Sequence, residues 1–447
     1  MNIMNMLPLK FHMDPLGAIF ALLTLVIFLC SGVFATDYMK EKEHKRSFFI
    51  FFILSGFIEI MLCAASNLVT FYMCYELLTV LTVPLVIHDR TKEAKMSALK
   101  YLFFSMFGAY GALFGIYNLA KYSDTLDFIQ GGSVPASVFA SDQKIILIAA
   151  MALIMGFGVK AGMWPLHAWL PSAHPIAPAP ASAALSACIV KAGVLGIIRS
   201  LWYVLGADKL KGTAVQTAFM TLALLTVFMG SMLAYRESVL KKRLAYSTVS
   251  QVSYILFGLA ISMGQTGVNS AEGAISYPND ALVGAILHVL AHGFIKAALF
   301  LVAGAIIHHL KITKVEDMRG IGMRMPFTMC CYTVVSLGLI GIPPTGGFIS
   351  KWYLATGALA SDIPVFSWLG PVILLVSALL TAGYLLTPAV WAFFPGAEYR
   401  SSGKDLSRSE VGPLMTVPIA TLTLLSVLIG IFPDQTVALI RQIFTYL

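Results

Sequence analysis

The sequence predicts an all-α integral membrane protein with about a dozen transmembrane helices. Of its 447 residues, 58% are hydrophobic and only 12% are charged, whereas an ordinary soluble domain has about 25% charged residues. Apolar runs of about 20 residues, the length of helix that crosses the hydrocarbon core, recur along the whole chain. Such a chain cannot cover a globule with polar side chains, so lipid must be its main solvent.

Two of the apolar runs predict irregular helices. The run 281–308 is too long for a straight crossing, which predicts a tilt or a kink near Gly293. Prolines and glycines predict a broken helix in the run 328–360, near Gly346, and a second break near Lys160, which is followed by Gly162 and a proline. The full set of runs is 14–36, 48–66, 68–88, 97–120, 144–163, 179–201, 214–234, 245–263, 281–308, 328–360, 366–394 and 412–432.

The order of the runs predicts an internal repeat. We divide the chain into an N-terminal span (1–47), two five-helix repeats (48–202 and 203–394) and a C-terminal span (395–447). A broken-helix sequence falls in the fourth span of each repeat, and GFGVKAGMWPL from Gly156 faintly resembles GGFISKWYL from Gly346. Repeats with an odd number of helices are inverted in the membrane, which would place Lys160 and Lys351 on related paths.

Loop charges predict the orientation of the chain. When the loop 37–47 is placed in the cytoplasm and the sides alternate, the cytoplasmic side holds 19 Lys and Arg residues and the other side holds 7. This asymmetry follows the positive-inside rule and predicts that both termini lie outside the cytoplasmic (inner) membrane of a prokaryotic cell. Topology therefore accounts for the excess of 30 Lys and Arg over 22 Asp and Glu, and a nucleic-acid partner is not indicated.

Once the charges of the loops and span ends are set aside, eight ionisable residues remain inside the predicted spans. A charged side chain at the centre of a bilayer costs ~2.5–3.5 kcal/mol or more, so each is a functional candidate by default. One such residue alone could reach the interface or lock two helices together, but eight of them on six spans favour an ion path. The eight residues are Glu59, Glu76, Lys160, Lys191, His288, His292, Lys296 and Lys351.

Spacing groups some of these residues. Glu59 and Glu76 flank a short turn at Asn67, which puts both carboxylates ~12–14 Å below the same surface, although the spacing does not decide whether they face each other. His288, His292 and Lys296 recur every four residues and form one stripe of a helix. That stripe favours a proton relay over a zinc site, because no carboxylate or cysteine completes a ligand set.

Other chemistry has little support in the sequence. His167 and His174 flank a Trp/Pro-rich loop and are predicted to be loop structure or groups at a mouth of the path. The six cysteines lie in apolar stretches without a CxxC or Cys/His spacing, so no zinc or iron–sulfur site is predicted. No catalytic nucleophile, phosphate loop or redox motif is found. We therefore expect no cofactor in this chain.

Four segments resemble one known family. They are KAGMWPLHAWLPSAHPIAPAPASAALSACIVKAGVLGIIR from Lys160, HVLAHGFIKAALFLVAGAI from His288, GIPPTGGFISKW from Gly341, and MCYELLTVLTVPLV, which carries Glu76. Together they are similar to the antiporter-like membrane subunits of respiratory complex I, Mrp-type cation/proton antiporters and energy-converting membrane-bound hydrogenases. The resemblance runs from about residue 14 to residue 432.

The resemblance implies roles for the buried residues. Glu76 would tune Lys160, Lys191 would connect to the second half, and the stripe of His288, His292 and Lys296 would lead to Lys351. His167 and Glu59 are accessory candidates, and Glu59 lies outside the motif. Family members usually have two further spans at the amino end and, in one complex I subunit, a long lateral helix that we do not expect here. These departures leave the neighbouring subunits open.

Three functions are compatible with these features. The first is a proton- or cation-translocating subunit of a redox-driven membrane complex, whose iron–sulfur, hydrogenase or quinone-type partner subunits would carry the electron chemistry. The second is a subunit of a Mrp-type Na⁺/H⁺ antiporter without redox chemistry. The third is a membrane anchor in which the buried charges only lock helices together.

Overall fold

The protein is described here by a computed structural model that covers residues 9–264, 266–268, 276–396 and 407–444. Within these residues, 11 helices are long and apolar enough to cross a membrane. A broken helix, Pro326–Ile340 followed by Gly346–Leu359, lies in the position of one further crossing. The predicted all-α membrane class is confirmed, with one small addition: the short strands β1 (Thr266–Val268) and β2 (Ser276–Pro278) pair antiparallel.

The helices follow the predicted runs closely. Two π-helical turns, Leu185–Ile189 and Leu201–Leu205, precede and follow α9. In chain order the helices are α1 (Pro15–Tyr38), α2 (Lys45–Cys63), α3 (Leu68–Val86), α4 (Lys92–Tyr122), α5 (Ala136–Ser141), α6 (Gln143–Ala161), α7 (Leu170–Ile176), α8 (Ala179–Ala184), α9 (Val190–Ser200), α10 (Ala214–Arg236), α11 (Leu240–Ser262), α12 (Asp280–Leu310), α13 (Ile321–Arg324), α14 (Pro326–Ile340), α15 (Gly346–Leu359), α16 (Phe366–Phe393), α17 (Pro413–Ile431) and α18 (Pro433–Phe444).

Side chains at the first turns fix where several spans begin. The first backbone N–H groups of a helix have no partner inside the helix, and an Asp, Asn or Thr just before the helix can accept from them. Asp14 accepts from the N–H of Gly17 at the start of α1, and Asn67 accepts from that of Thr70 at the start of α3. Asn67 thereby closes the short turn between α2 and α3 that the sequence predicts.

Three central segments form the interior of the protein. Within its most apolar 18-residue window, the segment Ala179–Leu205 is 100% buried, α11 is 94% buried and α12 is 89% buried, whereas the window in α16 is only 33% buried. α12 packs against α11, α15, α17 and α14, and against α8. Side chains on these three segments are therefore screened from lipid, and these segments carry four of the predicted path residues.

The long predicted run near Gly293 forms one uninterrupted helix. α12 has 31 residues from Asp280 to Leu310, a length of about 46 Å, so it extends beyond a hydrocarbon core of about 30 Å or crosses it at a tilt. Gly293 does not break this helix. Its missing Cβ leaves room for the Leu23 side chain of α1, so this glycine serves close packing.

Both predicted helix breaks are confirmed. α6 ends at Ala161, followed by Gly162 with φ +79°, and an irregular loop leads to α7. α14 ends at Ile340, followed by Gly341 with φ +95°, and α15 starts at Gly346. A glycine adopts this left-handed conformation without strain, which explains its position directly after each helix. The division into two five-helix repeats with a flanking span on each side stays a prediction.

Contacts between loops sort the ends of the spans onto two faces. On one face, Lys42 forms an ion pair with Asp89 at 3.7 Å, and the backbones of Val239 and Lys314 form an isolated β-bridge. On the other face lie the ion pairs Lys10–Asp127 at 2.8 Å and Arg441–Asp280 at 2.9 Å. Residues 10 and 441 lie on the same face, as an even number of crossings requires. Of the cations counted in the charge asymmetry, Arg400 and Lys404 lie outside the described residues.

Candidate functional site

A row of buried polar side chains runs from Lys191 on α9, through two histidines of α12, to Lys351 on α15. It begins with a lysine–histidine pair. Lys191 on α9 is only 1% exposed. Its Nζ lies 2.8 Å from Nδ1 of His292 on α12 and donates to the carbonyl oxygen of Ser186 at 2.8 Å. Ser186 belongs to the π-helical turn before α9, and such turns shift the helical hydrogen-bond pattern, frequently at functional sites. The local irregularity thus offers the buried amine an uncharged acceptor.

A second histidine continues the row toward α15. The rings of His292 and His288 stack with centroids 5.7 Å apart, and Nδ1 of His288 lies 2.8 Å from Oγ of Ser350. Ser350 immediately precedes Lys351. The ring of Tyr254 stacks on His288 at 5.5 Å and lies 4.9 Å from the Lys351 amine. The structure therefore brings these predicted residues into one continuous arrangement.

Lys351 is held by the broken helix. Its Nζ donates to the carbonyl oxygens of Leu339 at 2.5 Å and Ile340 at 3.0 Å. These are the last residues of α14, whose carbonyls have no partner inside their own helix. The break at Gly341 thus creates the acceptors that the amine uses.

Lys160 is fully buried in the last turn of α6. Its Nζ donates to the carbonyl oxygen of Tyr75 at 3.0 Å and to Oγ1 of Thr79 at 2.8 Å, and lies 3.8 Å from the centre of the Tyr75 ring. Among the described residues, no carboxylate lies within 4.0 Å of this amine. Glu76, which the family resemblance implies would tune Lys160, therefore forms no ion pair with this amine.

The two carboxylates act on the lysines through space. Glu76 is half-buried on α3, and its charge acts on Lys160. Glu59 on α2 is 2% exposed, and its charge acts on both Lys160 and Lys191. Within the described residues, one oxygen of each carboxylate is buried without a hydrogen-bond partner. Glu59, whose role the sequence left open, is thus the acid that interacts with two of the lysines.

Lys296 leaves the stripe predicted on α12. It is fully buried, and its Nζ donates to the carbonyl oxygen of Leu244 at 2.9 Å and to Oγ of Ser247, both on α11. The stripe therefore divides: His292 and His288 belong to the row between Lys191 and Lys351, whereas the Lys296 side chain points away from this row toward α11.

Sequence reasoning placed His174 in the loop or at a mouth, but it lies in the interior. Its ring is fully buried against Phe300 with centroids 4.8 Å apart, and neither ring nitrogen has a hydrogen-bond partner in the described residues. The charges of Lys241, Lys296 and Lys191 all act on it. His167, in contrast, lies half-buried in the loop.

Lys241, which lies outside the predicted run 245–263, is a further buried cation. It is only 5% exposed, and its Nζ donates to the carbonyl oxygens of Ala177 at 2.5 Å and Pro175 at 3.3 Å. The prolines of this segment interrupt helical hydrogen bonding and leave such carbonyls free. The Ala-His-Pro sequence at the start of that interruption is the signal that could have identified this cluster.

Metal-binding side chains are not clustered in the described part of the chain. No group of three His, Cys, Asp or Glu residues there has the geometry to hold a metal ion, and the six cysteines are free thiols. The polar interior consists of lysine, histidine and hydroxyl side chains together with backbone carbonyls. This fold and this interior define a polytopic membrane protein of the antiporter-like class.

Comparison with known proteins assigns the family. Residues 65–381 match the model of the NADH:quinone oxidoreductase/Mrp antiporter transmembrane family. The chain is also 30% identical to NADH-quinone oxidoreductase subunit N of Desulforudis audaxviator, an alignment that covers 96% of this chain and 83% of that protein. The chain therefore belongs to this family and is an antiporter-like membrane subunit.

Two further similarities bear on the assembly. Hydrogenase-4 component B of Escherichia coli is 32% identical over 77% of this chain, and the match spans 50% of that protein's length. A chain in the structure of the Mrp complex from Dietzia sp. DQ12-45-1b superposes with a TM-score of 0.82 at 17% identity, covering 98% of this chain and 84% of that chain. At this identity the likeness shows the fold alone.

Proposed function

We propose that this chain translocates protons as an antiporter-like subunit of a redox-driven membrane complex. The observation that carries the proposal is the buried row from Lys191 through His292 and His288 to Lys351. We extend this row to the buried Lys160, because the charge of Glu59 acts on both Lys160 and Lys191. Imidazole and amine groups exchange protons. A row of potential cations repels Na⁺, and the carbonyl oxygens that a hard cation would need already accept from the amines. Protons, and not Na⁺, are therefore the ions that this row would pass.

The hydrogen-bond partners of the lysines support this proposal. An amine paired with a buried carboxylate is held in its charged form, because separating such a pair leaves an uncompensated charge. The amines of this row instead donate to carbonyl oxygens, which remain neutral when the proton leaves. Glu59 and Glu76 act on Lys160 through space but form no ion pair with it.

A branch formed by His174 and Lys241 connects the row to one face of the membrane. Lys241 and His174 lie between the row and the loop that carries Lys42 and Asp89, and the charges of Lys42 and Asp89 act on Lys241. Loop charges favour this face as the cytoplasmic one, with both termini outside the inner membrane of a prokaryotic cell. We assign the branch to proton exchange with the cytoplasm.

The similarities to subunits of an NADH-quinone oxidoreductase and a hydrogenase support a redox-driven assembly. Iron–sulfur, hydrogenase or quinone-type partner subunits would then carry the electron chemistry, and this chain would hold no cofactor. Because the family model also includes Mrp antiporters, a subunit of a Na⁺/H⁺ antiporter is the alternative function. Purification of the native assembly distinguishes the two: iron–sulfur signals in electron paramagnetic resonance support the redox complex, and an assembly without redox subunits supports the antiporter.

Transport by two lysine variants tests the role of the row. In membrane vesicles that contain the native assembly, Lys160→Ala and Lys351→Ala are expected to reduce proton translocation per assembled complex at least tenfold. Lys→Arg at either position should not restore it, because arginine does not release its proton at physiological pH. Pumping is followed with a pH-sensitive dye, and assembly by quantifying the complex on native gels.

Lys144→Ala is the matched control, since Lys144 is exposed at the other end of the same helix as Lys160. It should leave both assembly and transport unchanged. If Lys160→Ala and Lys351→Ala lower the amount of complex but not the transport per complex, the buried charges lock helices together and the proposal is wrong.

A further inference from the structure

A groove between α1 and α2 lies at the membrane face that carries Lys42 and Asp89. Its volume is about 490 Å³, and it is lined by the C-terminal end of α1 and the N-terminal end of α2. The floor and walls are apolar, with Met39, Phe49 and Ile50 among the lining side chains, whereas Lys40, Lys45 and Arg46 stand around it. An apolar groove bordered by three cations is an amphipathic site.

The three cations have no acidic partner in the described part of the chain. Lys40, Lys45 and Arg46 are exposed, and none of them forms an ion pair there. The neighbouring Lys42, in contrast, pairs with Asp89, and the two residues line a separate cavity with His88. The positive charge around the groove is therefore available to an anionic ligand.

The apolar part of the groove continues into the membrane-facing surface. Ile50 is 57% exposed, and Ile53 and Phe57 on the same helix are 65% and 57% exposed. On α1, Val33 is 43% exposed and Leu29 is 60% exposed. A ligand with a charged head at the cations would thus find a continuous apolar surface leading toward the bilayer centre.

We propose that this groove binds one anionic phospholipid, with its phosphate between Lys40, Lys45 and Arg46 and its acyl chains along α1 and α2. Clusters of Lys and Arg at the cytoplasmic end of transmembrane helices attract anionic headgroups, and apolar walls retain the chains. A soluble phosphate would use the cations but not the walls. The site is independent of the proton row, so its failure would leave the proposed function intact.

Lipid binding to the full-length chain in detergent tests the proposal. Native mass spectrometry measures retention of dioleoylphosphatidylglycerol and dioleoylphosphatidylcholine by the wild type, which is expected to hold one phosphatidylglycerol in preference to the neutral lipid. The variant Lys40→Gln/Lys45→Gln/Arg46→Gln should bind phosphatidylglycerol about 100-fold more weakly, because each cation near a membrane surface contributes roughly fivefold.

Two controls separate the groove from general surface charge. Lys92→Gln/Lys95→Gln/Lys100→Gln removes three exposed cations from one end of α4 and should change affinity less than threefold. Phe49→Ala leaves the charge unchanged but removes an apolar side chain that lines the groove, and it should weaken binding roughly fivefold. Equal losses in both triple variants, equal binding of the two lipids, or displacement by soluble glycerophosphoglycerol would each overturn the proposal.

Discussion

Replacing Arg199 by Gln tests whether a buried ion pair anchors the helix that carries Lys191. Arg199 lies in the last turn of α9, is 1% exposed, and donates two hydrogen bonds of 2.6 Å to the two carboxylate oxygens of Asp14. Its guanidinium also lies 4.8 Å from the ring of Phe128 and 4.9 Å from that of Tyr203. The pair joins the start of α1 to the end of α9.

The geometry sets the size of the effect. Removing one partner of a buried ion pair costs about 3–5 kcal/mol, because the other charge is left uncompensated. Asp14 retains 27% side-chain exposure, so water compensates part of its charge, and each lost cation–π contact adds ~0.5–2 kcal/mol. We expect Arg199→Gln to lower the free energy of unfolding by about 3 kcal/mol. Transport per folded complex should stay within about twofold of wild type, because Arg199 lies outside the proton row.

Asp14→Asn supplies the second arm of a double-mutant cycle. Asparagine caps a helix about as well as aspartate, so the hydrogen bond from the Gly17 N–H to this side chain is preserved while the charge is removed. In Asp14→Asn/Arg199→Gln neither charge is left alone. The cost of the double variant should therefore be at least about 1.5 kcal/mol smaller than the sum of the two single costs.

The pair also predicts a pH dependence. Burial acts to raise the pKa of Asp14, but the hydrogen bonds and charge of Arg199 outweigh it and hold the pKa below its usual value. With a lower pKa in the folded state, the stabilisation is fully present above about pH 4 and is lost as pH falls through the folded pKa. Unfolding by sodium dodecyl sulfate, followed by tryptophan fluorescence, measures the difference between wild type and Arg199→Gln. A difference that stays the same from pH 7 to pH 3, or strictly additive costs, would refute this reasoning.

Two other substitutions examine the branch and the break. His174→Phe keeps an aromatic ring against Phe300 but removes both ring nitrogens. It should slow proton translocation about tenfold in the vesicle assay and leave the amount of assembled complex unchanged. Transport at the wild-type rate would contradict a role for the branch. Gly347→Ala places a methyl group against the carbonyl oxygen of Gly338 and should lower the free energy of unfolding by about 1–3 kcal/mol. Fluorescence-detected size exclusion after heating would show this as a lower melting temperature. Gly111→Ala, where the nearest heavy atoms lie at 3.6 Å, is its control, and equal melting of the two variants would show that the break tolerates a side chain.

The fold could be predicted because its determinants are local. A membrane span is encoded by a run of apolar residues, and a break is encoded by glycine and proline within such a run. Gly162 therefore identified the first break, the prolines and glycines near Gly346 identified the second, and Asn67 identified the turn between α2 and α3. The same local reasoning predicted either a tilt or a kink near Gly293. The helix is uninterrupted there, and the glycine makes room for Leu23.

The contacts of the site could be predicted only in part, because they depend on backbone irregularities and on helix rotation. The family resemblance implied that Glu76 would tune Lys160, but the sequence could not show that the lysine donates to Tyr75 and Thr79. A π-helical turn leaves no residue-type signature, so the acceptor at Ser186 was not foreseen. The direction of Lys296 is likewise set by the packing of α11 against α12.

The irregular backbone and the buried lysines explain each other. Lys160, Lys191, Lys241, Lys296 and Lys351 each donate to at least one backbone carbonyl. A hydrogen bond to a charged group contributes about 1.5–3 kcal/mol, less than the about 3–5 kcal/mol lost when a buried ion pair is broken. A hydrogen bond to a carbonyl oxygen therefore stabilises a charged amine enough for it to remain in the membrane interior. The amine can still lose its proton, because no unpaired carboxylate is then left beside it. Lys160 and Lys296 share carbonyls of the regular helices α3 and α11, and a hydroxyl group also accepts from each amine. For Lys191, Lys241 and Lys351, a π-helical turn, a proline-rich interruption and a broken helix supply the acceptors, because nearly all carbonyls of a regular helix are already used.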